Sequence, residues 1–235
     1  MIEYLLTPLD THYDLGFGAT ANAFKESADN LSENSPTFSG HIPVWFLRRH
    51  AIELYLKSGI IIFHRKFELP YGADPPNAEP KMPISNEWKS LYSVHSIQQL
   101  FDYWYNLYES HREVLSRSTN TNWSLPCNNL QKWIRIIDGY DPGGDFFRYP
   151  VTKDRQRDRR KSSSRRTSVG KLIVQAKSGN QRVRAIFVTD HDDNVVASYQ
   201  LHDDPENDLS SALAETATLF YAIHAAMRGE LTGGW

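Results

Sequence analysis

Apolar residues recur at helical spacing through most of this chain, and only the region after Pro150 departs from that period. Over residues 16–32, Phe17, Ala21, Phe24, Ala28 and Leu31 share one face of a predicted helix, whose glycine and alanine positions allow a close neighbour. Asn34 to Gly40 breaks the chain. From Pro43 to about Phe63, apolar side chains cover most of a helical circumference. Pro43 suits the first turn, where its missing N–H would have had no intrahelical partner. A helix apolar on nearly every side belongs at the centre of a bundle, so Phe46, Leu47, Ile52, Leu54 and Leu56 are expected to be almost wholly buried.

Five prolines between residues 70 and 83 predict a loop. A third helix is expected over residues 92–114, with Val94, Ile97, Leu100, Phe101, Trp104, Tyr105, Leu107 and Tyr108 inward. A fourth is expected over 127–138, packing Leu130, Trp133, Ile134 and Ile137. After Pro150 the segments 169–177, 181–189 and 195–201 alternate or run β-branched, with turn chemistry between them, and predict a three-stranded antiparallel meander. Leu213, Ala217, Phe220, Tyr221, His224 and Met227 then return to helical spacing, and Gly229 is expected to end this last helix. The fold class is mainly α (α+β). Residues 1–150 form a helical core, 151–205 a basic loop and β-meander insertion, and 206–235 a helix completing the bundle.

Composition narrows the class without changing it. A chain of 235 residues with 40% hydrophobic and 23% charged residues can bury a single large core. The lone Cys127 forms no internal disulfide and has no partner for a zinc site, which suits a reducing, cytoplasmic setting. The N-terminus lacks a basic lead and a small-residue cleavage site, so no signal peptide is expected. No apolar stretch is long enough to cross a bilayer, so no membrane partner is expected either. Charge changes the picture more. Residues 153–166 hold eight basic and two acidic side chains, a local charge of +6 in a chain of net charge −2. Arg155, Arg157, Arg159, Arg160, Lys161, Arg165 and Arg166 are therefore candidate contacts to RNA or DNA. A solvated basic loop is the competing interpretation.

Candidate chemistry concentrates in three segments. In the central helix, Arg49, Glu53 and Lys57 form a stripe at i, i+4 and i+8, with His50 beside it. They could form a self-paired polar network or line a cleft. His95 opens the next helix, where the positive end of the helix dipole would favour a neutral imidazole able to act as a base. The turn from Asp141 through Pro142, Gly143 and Gly144 is expected to fix Phe146, Phe147, Arg148 and Tyr149 against the bundle, with Arg148 available to phosphate. His191, Asp192, Asp193, His202, Asp203 and Asp204 would hold a divalent cation only if the hairpin end and the following loop converged, and no metal is assigned. The phosphate-loop, nucleophile-elbow and zinc-helix motifs are missing, and no cofactor is expected.

In order, an R-H-x-x-E-L helix (residues 49–54), an H-x-L-x-x-L helix from His95 (with isoleucine at the first leucine position) and a D-P-x-x-x-x-F-R-Y-P element (residues 141–150) resemble bacterial HEPN-like helical proteins. The resemblance covers about residues 15–150 and the final helix. It implies a helical bundle, a homodimer, and a nucleic-acid-associated role in antiphage defence or a toxin–antitoxin system, with a possible protein partner from a neighbouring gene. It also implies an alternative: a metal-independent ribonuclease with His50 or His95 as base and Arg49 and Arg148 holding the scissile phosphate. The R-x4–6-H pattern of HEPN ribonucleases is met only by Arg184 and His191, on a predicted strand and turn.

Overall fold

The computed structural model describes residues 6–34, 41–162, 164–179, 183–201 and 207–234. Four helices come first: α1 (Phe17–Asn34), α2 (His41–Lys66), α3 (Ile97–Ser118) and α4 (Cys127–Tyr140). A small hairpin, β1 (Lys81–Ile84) and β2 (Glu87–Ser90), lies between α2 and α3. Beyond Pro150 come a one-turn helix α5 (Arg155–Asp158), β3 (Ser164–Arg166), α6 (Val169–Lys177), β4 (Arg184–Thr189), β5 (Val195–Leu201) and the long α7 (Asn207–Leu231). The molecule is mainly α with a small antiparallel sheet, and among the described residues no helix is long and apolar enough to cross a membrane.

α2 is the centre of the bundle. Every residue from 51 to 64 is buried, and α1, α3 and α7 pack around it. Ile52, Leu54 and Leu56 are buried as expected, but Phe46 and Leu47 are only half-buried; the Phe46 ring stacks on His50, which is itself half-buried. Gly59 sets the approach of α3, since a Cβ there would collide with the indole of Trp104. Trp104 in turn stacks on Tyr108 and meets the edge of Phe220 from α7. Ser96 caps α3 by accepting from Gln99 N at 3.2 Å, and Asp138 of α4 accepts from Gln98 N at 3.1 Å, so α4 helps to cap α3. A second buried polar knot fastens α1 and α7 to α2. Asp14 accepts from Ser58 Oγ at 2.6 Å and from Gly18 N at 2.8 Å, and its Oδ2 lies 3.4 Å from His224 Nε2.

The region after Pro150 departs from expectation at several elements. Residues 169–177, expected as a strand, form α6: Ser168 accepts from Lys171 N at its start, and Leu172 supplies its buried contact. The third strand of the sheet is β3 instead, giving the order β3-β5-β4, with both pairs antiparallel. α7 runs through Gly229 to Leu231, and Tyr221 faces solvent, where Lys25 sits over its ring. The proline-rich loop also holds an unexpected strand. β1 pairs with β2 across Ser85 and Asn86, both at positive φ, the two-residue turn that matches strand twist.

Candidate functional site

The stripe on α2 becomes a buried ionic knot. Arg49 Nη1 donates to Glu53 Oε2 at 2.5 Å, and Lys57 Nζ donates to Glu53 Oε1 at 2.8 Å, the i, i+4 pairings the spacing implies. Two further segments close on the same guanidinium. Arg49 Nη2 donates to the His95 carbonyl at 2.5 Å, and Nε lies 2.9 Å from Asp141 Oδ2, an ion pair outside hydrogen-bond angle. Asp141 itself is fixed through Oδ1, which accepts from Phe146 N at 2.9 Å. Gly144, at φ +76°, completes the cradle: a Cβ there would sit 3.3 Å from Arg49 Nη2. Arg49, Glu53, Lys57 and Asp141 are each 3% exposed or less, and their four formal charges cancel. Burial alone would raise the Glu53 pKa, but the charges of Lys57 and Arg49, with hydrogen bonds from Lys57 and His95, bring it down to about 2.

His95 is the member of this knot that reaches solvent, with 40% of its side chain exposed. It precedes the Ser96 cap, and its nearest charged neighbour is a carboxylate: Nδ1 lies 3.0 Å from Glu53 Oε1. An ionised Glu53 can only accept, so Nδ1 carries the proton of this bond, and in the neutral imidazole Nε2 keeps its lone pair.

His50 lies apart from this pair. It stands one residue beyond Arg49 on the helix, turned toward α1, with its ring edge-on to Phe24 and parallel to Phe46. Its Nδ1 is buried without a hydrogen-bond partner among the described residues. Burial lowers its pKa; Glu53 opposes this, while the charges of Arg49, Lys57 and Arg148 add to the lowering. Arg148 is exposed and close enough to be felt by His50. Of the four candidate catalytic residues, Arg49 and His95 therefore share one cluster, and His50 and Arg148 are neighbours beside it. Arg49 is committed to two carboxylates and the His95 carbonyl, so its guanidinium is already occupied. Asp141 and Gly144 were visible in the sequence only as turn formers; nothing in the spacing aimed them at Arg49.

The basic segment divides in the same way. Arg155, Arg159, Arg165 and Arg166 are exposed and hold no ion pair among the described residues. The side chains of Arg157 and Arg160 lie outside the described part. Lys161, expected at a nucleic-acid interface, is 7% exposed instead. Its Nζ donates to Tyr149 O at 2.7 Å and Asp158 Oδ1 at 2.9 Å, and stands over the Phe146 ring. It pins the basic segment to the turn that holds Arg49. In the sheet, Arg166 pairs across to Tyr199, and Arg165 to Gln200. His191, Asp192 and Asp193 are exposed at a hairpin end, while His202, Asp203 and Asp204 lie outside the described residues.

No protein-family model, curated protein or solved structure matches this chain.

Proposed function

We propose that this chain is a HEPN-like, nucleic-acid-binding protein of a bacterial defence or toxin–antitoxin type system, and that it takes RNA or DNA on its basic segment. The observation that carries this reading is the contrast between two sets of cations. Arg49, Lys57 and Lys161 are buried and answered within the fold, whereas Arg155, Arg159, Arg165 and Arg166 are exposed without ion pairs among the described residues. The setting of β3 adds a second support on one face of the sheet, where Arg166 beside Tyr199 suits phosphate contact and base stacking. Binding of a single strand should weaken with salt at a slope of about 0.7 per phosphate contact. Replacing Arg155, Arg159, Arg165 and Arg166 by glutamine should weaken binding at low salt and flatten that slope. Fluorescence anisotropy with a labelled oligonucleotide measures both. A parent protein that binds no oligonucleotide at low salt, or a variant that binds as the parent does, refutes the reading.

The Glu53–His95 pair favours a second reading, a metal-independent ribonuclease. A buried, ionised carboxylate orienting a partly exposed imidazole leaves Nε2 free to take a proton from a ribose 2′-hydroxyl, with the exposed Arg148 as the phosphate contact. Cleavage of RNA should then survive EDTA and be abolished by His95→Ala, while His50→Ala affects it only through stability. Activity lost in EDTA, or kept in His95→Ala, excludes this chemistry.

A further inference from the structure

The two edges of the β3-β5-β4 sheet are built differently. The outer edge of β3 is three residues long and carries Arg165 and Arg166, the short, charged edge by which proteins discourage strand addition. β4 forms the other edge with six residues, including the run Ile186, Phe187 and Val188, and contains no proline or lysine. All three of these apolar side chains are exposed, Phe187 by 49%, and Val195 and Val196 on the adjoining β5 are exposed with them. Across the whole sheet Ser198 is the single buried residue. Three short strands with so little burial lie at the margin of independent stability. Among the described residues no strand pairs with the outer side of β4, and an open apolar edge of this kind suits a further strand.

The sequence of β4 matches that strand to itself. In an antiparallel ladder, hydrogen-bonded and non-hydrogen-bonded pairs alternate, so a two-fold axis between identical strands must pass through a residue and its own copy. With the axis at Phe187, Phe187 faces Phe187 of the second copy, Ile186 faces Val188, Ala185 faces Thr189, and Arg184 faces Asp190. Aromatic meets aromatic, and β-branched meets β-branched. Moving the axis to Ile186 sets Arg184 opposite Val188 and Phe187 opposite Ala185, and loses the aromatic pair.

We infer that two copies of this chain pair through β4, antiparallel about Phe187, to make one continuous six-stranded sheet. The two β3 strands then form its outer edges, five strand spacings or about 24 Å apart. Each edge presents its own Arg165 and Arg166 outward. The inference does not depend on nucleic-acid binding, because it rests on the sheet edge alone.

Sedimentation equilibrium of the full chain should show a reversible dimer. Phe187→Lys, which sets two ammonium groups against each other across the axis, should yield a monomer with unchanged helical circular dichroism. Register is tested by cysteine pairing in a Cys127→Ser background, since directly opposed residues come within disulfide reach. On oxidation Phe187→Cys should cross-link to itself, whereas Ile186→Cys and Val188→Cys should cross-link only when mixed. Should Phe187→Lys fail to fold, the cysteine pattern decides alone. A parent chain that is monomeric at every concentration overturns the inference, as does a dimer that persists in a folded Phe187→Lys variant. Ile186→Cys cross-linking to itself as readily as Phe187→Cys does also overturns it.

Discussion

Glu53 is the side chain on which the ionic knot depends. It lies between two buried cations, Arg49 and Lys57, and also meets His95. Glu53→Gln would take the ion-pair partner from buried Lys57 and leave Arg49 with Asp141 alone, and breaking a buried pair in this way costs about 3–5 kcal/mol. The same residue sets a pH dependence. Its folded pKa, about 2, lies below the ordinary 4.5, so its stabilisation is fully present above pH 4.5 and is lost as the pH falls toward 2. That shift corresponds to about 3 kcal/mol. Asp14, also held low by His224, Ser58 and Gly18 against the effect of its burial, adds a loss in the same direction. Urea unfolding of the parent should therefore show falling stability through this acid window, and Glu53→Gln should begin lower and fall less. Equal acid slopes in the two proteins would mean that Glu53 is not ionised in the knot.

Among the elements, what the sequence made legible follows the strength of the period. α2, α3 and α4 begin or end within a few residues of expectation because each repeats an apolar face over several turns, and Leu100, Trp104, Leu130 and Ile134 are buried accordingly. The segment of α6 resembles a strand in sequence because Ile173 and Val174 are β-branched neighbours in a nine-residue stretch, too short for period to outweigh propensity; the Ser168 cap favours the helix. β3 is three residues of serine and arginine and carries no apolar alternation at all. The β1–β2 hairpin was hidden by its prolines, although Pro83 is tolerated in a two-stranded ribbon where one side of each strand needs no partner. The site divides along the same line. Pairing of Arg49, Glu53 and Lys57 is local and follows from helical geometry. Recruitment of His95 and Asp141 joins residues 46 and 92 positions away from Arg49, which only the tertiary fold can bring together.

At the scale of the whole molecule, burial is distributed very unevenly, and this predicts a gradient of local opening. The middle of α2 is enclosed on all sides, while the β3-β5-β4 sheet holds a single buried residue, Ser198. Amide exchange in residues 51–64 should proceed only through global unfolding, because opening that helix exposes the core of every neighbour. Sheet amides should exchange through cheap local openings in an isolated chain. Concentration separates the two behaviours further. If β4 pairs with its own copy, the amides of β4 that point away from β5 acquire carbonyl partners only in the dimer. Hydrogen exchange read by mass spectrometry should then slow in β4 as protein concentration rises, with residues 51–64 unchanged. Phe187→Lys should remove that concentration dependence while leaving the slow exchange of α2 intact. Uniform protection across sheet and bundle at low concentration would show instead that the sheet is stabilised within one chain.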